Sequence, residues 1–468
     1  MHLFSFKKPS KHTLSRQSKA LCLLSLFLVF AFSGRGQTPT DSARNVADVV
    51  GEWLTAEYGL QPSTNNRLVI FKNGQEKFDD LFKAIKAARH SIHLEYFNFR
   101  NDSISALLFD LLAEKAAEGV EVKALFDGFG NSSNNQPLKS HHLKDLRARG
   151  IDIVEFDPMR FPWVNHALHR DHRKIVVIDG EVAYTGGMNV ADYYIVGKPE
   201  FGEWRDIHAR VEGDAVADLQ AVFIKFWNHV TADSLGGPQY YPGERDARVR
   251  FGHLKQDTTP TAGQKHITLV DRTPDATPRI IHDTFCQLID NAEKEIVIIN
   301  PYFTLCGHIK RKLKKAIKRG VEVKIMVSAK SDIPVTPRIV EYNTHRLMKR
   351  GAEVYVFEGG FHHSKIMMVD SLCAFIGSAN LNSRSLSFDY ECNLFIDDRH
   401  TTAQLLDIFH RDRETRCYRL TPDSWKKVSR WNRFKGWLFH FLTPFVKNTQ
   451  PQQRPGRQRG VKTQISYA

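Results

Sequence analysis

One pattern, present twice, constrains this chain more than anything else in it. HRKIVVIDGEVAYTGGMN (172–189) and HSKIMMVDSLCAFIGSAN (363–380) both read His-x-Lys-x4-Asp-x6-Gly-x2-Asn, with the asparagine 17 residues after the histidine in each. The runs KIVVI and KIMMV are apolar and partly β-branched, so each is expected to be a buried strand. Side chains at i and i+2 share a strand face, which sets His172 beside Lys174 and His363 beside Lys365. Asp179-Gly180 reads as a turn, and VAYT returns as the second strand of a hairpin. That return carries Gly187 and Asn189, or Ser378 and Asn380, back beside the histidine. The glycine pair at 186–187 leaves room for a substrate to approach the backbone. A lone His-x-Lys would be weak evidence of a site; two full copies in one chain are not chance.

The rest of the chain repeats around these motifs. Gly119-Val-Glu-Val-Lys123 and Gly320-Val-Glu-Val-Lys324 lie 201 residues apart, as do GIDIVEF (150–156) and GAEVYVF (351–357). The motif histidines are 191 apart, so the first half carries ten extra residues, within MRFPWVNHALH (159–169). That aromatic segment is expected to be a substrate-facing or lipid-facing loop at the edge of the site. Strands at 92–99, 120–128 and 151–156 alternate with a helix at 104–117, indicating α/β units built on a mainly parallel sheet. The boundaries read as a first half at 45–232, a Gly/Pro/Asp/Thr-rich connection at 233–266 and a second half at 267–420.

Charge is concentrated at the ends. The chain holds 66 Lys+Arg and 52 Asp+Glu, a net +14, but residues 1–37 carry six bases and residues 425–468 ten, with no acid in either stretch. The body between is close to neutral, which disfavours a nucleic-acid cleft and favours an anionic membrane surface as partner. Residues 20–32, ALCLLSLFLVFAF, are an apolar run of 13 behind a basic start, so 1–36 reads as a signal peptide or N-terminal anchor. Either places the body on the extracytoplasmic side. Residues 421–447 alternate Trp, Phe and Leu with Lys and Arg at helical spacing, as expected of an amphipathic helix lying in a membrane interface. Residues 448–468 read as a disordered basic tail.

The six cysteines (22, 286, 306, 373, 392, 417) show no paired spacing, so neither a zinc site nor a disulfide framework is indicated. His166, His169 and His172 recur every three residues, but His172 opens a strand and no acid or cysteine cluster accompanies them. No metal and no cofactor are expected. A phosphodiester can be broken without a metal by two imidazoles: one attacks phosphorus, and the other, protonated, gives its proton to the departing alcohol. Lys174, Lys365, Asn189 and Asn380 would then supply charge and donors to the phosphoryl oxygens, with Gly187 and Ser378 beside them. Asp179 and Asp370 complete the catalytic candidates, although a turn-closing part suits them equally.

Paired motifs of this form, followed by GGxN or GSxN, resemble the phospholipase D superfamily. HLEYFNF (93–99), EGVEVKALFDGFG (118–130), NPYF (300–303) and GSANLNSRSLSFDYECNLFI (377–396) resemble its bacterial cardiolipin synthase branch. The resemblance spans roughly residues 67–445. It implies two pseudo-symmetric α/β halves packed face to face around one shared active site, and a covalent phosphatidyl-histidine intermediate. It also implies that an acid after each motif orients a histidine: Asp206 in EWRDIHARVEG and Glu391 in SFDYECNLFI, each expected across from the other half's histidine. By analogy His172 is the attacking group. The implied function is transfer of the phosphatidyl group of phosphatidylglycerol to a second lipid, releasing glycerol, at the bacterial cell membrane. Three alternatives stay open: hydrolysis to phosphatidic acid, nuclease action, and a membrane-binding protein that retains only the fold. Relatives of this branch often carry two N-terminal membrane helices; this sequence offers one at most.

Overall fold

In each repeat the apolar run after His-x-Lys is a fully buried strand, Lys174–Ile178 in the first and Ile366–Val369 in the second. Each pairs antiparallel with its return strand, Val182–Gly186 or Cys373–Gly377. The turns between them are left-handed at two successive residues: Asp179 and Gly180 (φ 56° and 68°), and Asp370 and Ser371 (φ 55° and 58°). Positive φ at both central residues gives a tight hairpin whose twist matches the strands. The structure is a computed structural model, and it describes residues 44–162, 168–242, 250–334 and 336–442.

Around each hairpin the strands follow one order. In the first half it is Ser63–Phe71, His208–Glu212, Val182–Gly186, Lys174–Ile178, Ser91–Tyr96, Glu121–Asp127 and Asp152–Phe156. The second half repeats it with Lys265–Arg272, Glu391–Asp397, Cys373–Gly377, Ile366–Val369, Glu295–Ile299, Glu322–Ser328 and Glu353–Phe357. A short antiparallel strand, Cys417–Arg419, is added at its outer edge. The expectation of a mainly parallel sheet is corrected here. Within each half only the last three strands run parallel; the other pairings are antiparallel. The βα alternation legible in sequence belongs to those parallel strands, whereas pairing across long separations leaves no local signature.

The halves join edge to edge through Ser63–Phe71 and Lys265–Arg272. They also share a core: Ile175, Val177 and Ala209 of the first lie in one buried cluster with Val297, Met368 and Leu394 of the second. The helix Val46–Tyr58 belongs by sequence to the first half. Its buried face, Val50 and Leu54, instead packs with Ile281, Phe285 and Leu288 of the helix Ile280–Asn291 in the second. The expected terminal helix is two helices, Pro422–Lys427 and Arg430–Leu442. Trp431, Phe434 and Trp437 of the second are exposed and stack in series. Phe161 of the aromatic insertion is also exposed. The N-terminal segment, Trp163, His166 and the basic tail lie outside the described residues.

Candidate active site

The two motif histidines are brought together by an exchange between halves. Asp171 forms a parallel bridge with Tyr390, and His172 N donates to the Tyr390 carbonyl (3.0 Å). Reciprocally, Gly360–His362 pairs parallel with Glu203–Arg205, and His363 N donates to the Arg205 carbonyl (2.6 Å). Each histidine is therefore pinned one residue before the other half's acid. His172 Nδ1 lies 3.1 Å from Glu391 Oε1, and His363 Nδ1 lies 2.7 Å from Asp206 Oδ2. A carboxylate on Nδ1 holds the proton there and leaves Nε2 with its lone pair.

Six titratable groups meet in this buried space. Burial, and then Lys174, push the His172 imidazole down to about 4; burial and Lys365 do the same to His363. Burial also lowers the ammonium groups, Lys174 to about 8 and Lys365 to about 7. The acids go the other way. Burial would raise Asp206, but Lys365 and His363 outweigh it and bring it to about 2. Glu391 falls below its ordinary range, with His172 and Lys174 overcoming burial. Both imidazoles are thus neutral, each between an anion and a cation, as a nucleophile before attack must be.

The remaining motif residues divide. Lys174 and Lys365 donate to the carbonyls of His172 and His363, two residues back on the same face. Asn189 and Asn380 are buried, and among the described residues neither side-chain oxygen has a partner. An unpartnered amide oxygen is an acceptor and suits a donor on the guest, such as a hydroxyl. Ser378, read as a phosphate contact, instead spends its hydroxyl on Glu391 Oε2. Gly187 holds the same place in the first copy, and a Cβ there would stand 2.3 Å from Asp206 Oδ1. One half therefore uses the longer acid with a serine and the other the shorter acid with bare backbone. These two positions seat the acids.

Asp179 and Asp370 stand at the far ends of the buried strands, roughly 15 Å from the motif lysines at about 3.3 Å per residue. Asp179 accepts from the backbone N–H groups of Arg89, His90 and Ser91, and from Arg250. Asp370 accepts from those of Glu293, Lys294 and Glu295. They tie the hairpin turn to the start of the neighbouring strand and take no place beside the histidines. Asp370→Ala should therefore act on stability, by about 3 kcal/mol for three orphaned amides. Urea unfolding checks this; unchanged stability with lost activity would return Asp370 to the chemistry.

A cleft of about 710 Å³ opens over the histidines, lined by Phe97, Asn189, Lys198, Trp204 and Tyr302 among others. Phe97 meets the His172 ring edge-on at 5.0 Å, and Trp204 and Tyr302 approach His363 at 5.7 and 5.8 Å. Lys198 Nζ sits over three rings, 4.4 Å from Tyr193, 4.6 Å from Trp204 and 5.8 Å from Phe201. Sequence reasoning singled out Asn189 but neither the aromatic walls nor Lys198. Trp204 was within reach, two residues before Asp206; Lys198, in a loop without periodicity, was not.

The sequence profile described as "Cardiolipin synthase, PLD-like domain" matches residues 81–227 and 285–413. The chain belongs to that family. It is 32% identical over 394 residues to cardiolipin synthase of Listeria monocytogenes, covering 84% of this chain and 78% of that one. It is 34% identical over 351 residues to the probable cardiolipin synthase YwiE of Bacillus subtilis, covering 75% of this chain and 66% of the relative, just under two thirds. Its backbone matches the crystal structure of phosphatidylserine synthase from Haemophilus influenzae with a TM-score of 0.65 at 15% identity, over 85% of this chain and 98% of that one. That last likeness is one of fold. Family membership makes the chain an enzyme of the phospholipase D superfamily, built from two repeats around one site.

Proposed function

We propose that this phosphatidyltransferase makes cardiolipin from two molecules of phosphatidylglycerol through a phosphohistidine. The observation that carries the reading is the pair of imidazoles on one cleft, each with Nδ1 within hydrogen-bond distance of an acid of the opposite half. His172 takes the attacking part: its side chain is 15% exposed against 7% for His363, and among the described residues no hydrogen bond engages its Nε2. Nε2 bonds to phosphorus while the glycerol oxygen leaves, taking a proton from His363. The bound phosphodiester brings negative charge between Lys174 and Lys365, which favours that proton on His363. Lysine ammonium groups and asparagine amides offset the charge that builds on the phosphoryl oxygens. The hydroxyl of a second phosphatidylglycerol then gives its proton to His363 and attacks phosphorus, expelling His172. Cardiolipin and glycerol are the products.

The same reading sets the body against an anionic bilayer on its extracytoplasmic side. Exposed Trp431, Phe434 and Trp437, with basic residues at both ends of the chain, support it. Among the described residues no helix is long and apolar enough to cross a membrane. The test is purified protein on phosphatidylglycerol vesicles, with lipid and glycerol both measured. Cardiolipin with equimolar glycerol is expected, and W431A/F434A/W437A should bind the vesicles less tightly. Phosphatidic acid as sole product would make water the acceptor, and an unchanged lipid would sink the reading.

A further inference from the structure

Away from the cleft, in the second half, three side chains with ligand atoms converge, and Cys306 follows close by in the chain. His282 and Cys286 lie one turn apart on the helix Ile280–Asn291 and so share a face. The helix Gly307–Arg319 has Cys306 at its N-cap and His308 in its first turn. Cys286 Sγ is 3.9 Å from both ring nitrogens of His282 and 3.9 Å from His308 Nδ1. His308 Nδ1 is 3.3 Å from His282 Nε2, and all three residues offer ligand atoms within 4.8 Å of one another. Cys306, two residues before His308, opens the helix that carries it.

We propose that His282, Cys286, Cys306 and His308 bind one zinc-class divalent cation, a structural site that clamps these two helices together. Tetrahedral zinc with bonds of about 2.0–2.1 Å to nitrogen and 2.3 Å to sulfur separates its ligand atoms by roughly 3.3–3.8 Å. The distances among His282, Cys286 and His308 are close to that. His282 is also oriented as a ligand would be. Its Nδ1 lies 2.6 Å from Asp283 Oδ1, and Arg279 Nη2 donates to that carboxylate at 2.8 Å. A carboxylate on one ring nitrogen turns the other toward the metal, and here Nε2 is the atom that faces His308. With Cys306 as the fourth ligand no position would stay open, so the site would hold structure and do no chemistry. None of the four lines the cleft over His172 and His363. Such a site would follow His-x3-Cys with Cys-x-His, a pattern that a search for paired cysteines passes over.

The test uses full-length protein purified under reducing conditions, with metal analysis and titration by cobalt(II). About one equivalent of zinc per chain is expected, and cobalt should give the visible and thiolate charge-transfer bands of tetrahedral coordination. Cys286→Ser and Cys306→Ser should each weaken binding at least about tenfold and reduce the thiolate band. His308→Ala, at a partly exposed position, repeats the loss should a cysteine variant fail to fold. Removing the metal should lower Tm by a few degrees and leave phosphatidylglycerol turnover at low temperature intact. A metal-free protein with no cobalt band, a Cys286–Cys306 disulfide in the purified chain, or a Cys306→Ser variant with unchanged affinity and spectrum would overturn the assignment.

Discussion

Replacing His172 with alanine is expected to abolish phosphatidylglycerol turnover, by on the order of 10⁴-fold or more, and replacing His363 to do nearly the same. Both groups act on one phosphorus in one step, so their losses should not add. The double variant should be about as slow as the worse single one. The two are separable by leaving group. An alkoxide leaves only with a proton, whereas a phosphatidyl ester of a nitrophenol departs unaided. On that ester His363→Ala should still release a burst of nitrophenol as the phosphohistidine forms, and His172→Ala should release none. A burst from His172→Ala alone would exchange the two parts. Full activity in either variant would remove the two-histidine mechanism altogether.

The second large effect is expected at residues that never touch the substrate. Asp206→Asn and Glu391→Gln keep the shape of each side chain but offer an N–H where a carboxylate stood. An amide donor against Nδ1 moves the imidazole proton to Nε2, the atom that must attack or receive a proton. A loss of about 10²–10⁴-fold in kcat with little change in KM is expected for each. Because the acids serve opposite halves, the effects should differ in kind. Glu391→Gln disables His172 and should be equally damaging with the nitrophenyl ester. Asp206→Asn disables His363, and its effect should vanish from the nitrophenol burst but persist in turnover, where His363 still has to take the acceptor's proton. Circular dichroism and Tm show whether either variant has merely unfolded. If both respond identically to leaving group, the crosswise assignment fails.

Much of this site was legible in sequence because it is written in short periods. A two-residue period on a buried strand set each histidine beside its lysine, and the equal spacings of the two copies required two equivalent hairpins. What those hairpins face was not legible. Asp179 and Asp370 stand inside the motif, yet their carboxylates close a turn at the far end of the strand, since a residue seven positions on is carried away from the site by the strand's own length. Ser378 sits two residues before Asn380, but buried against Glu391 its hydroxyl serves the acid. Chain order likewise assigned Val46–Tyr58 to the first half, while its apolar face found the second.

By itself the sequence determined the duplication, the strand and turn at the heart of each repeat, and the pairing of imidazole with ammonium, because these depend on neighbours within a few residues. Only the tertiary structure decided the mixed sheet and the walls of the cleft; the crosswise pairs of His172 with Glu391 and His363 with Asp206, which it places at hydrogen-bond distance, are those that the resemblance implied. It also decided the convergence of His282 and Cys286 with His308. Those depend on the packing of elements far apart along the chain, where burial of apolar faces, not local spacing, chooses the partner.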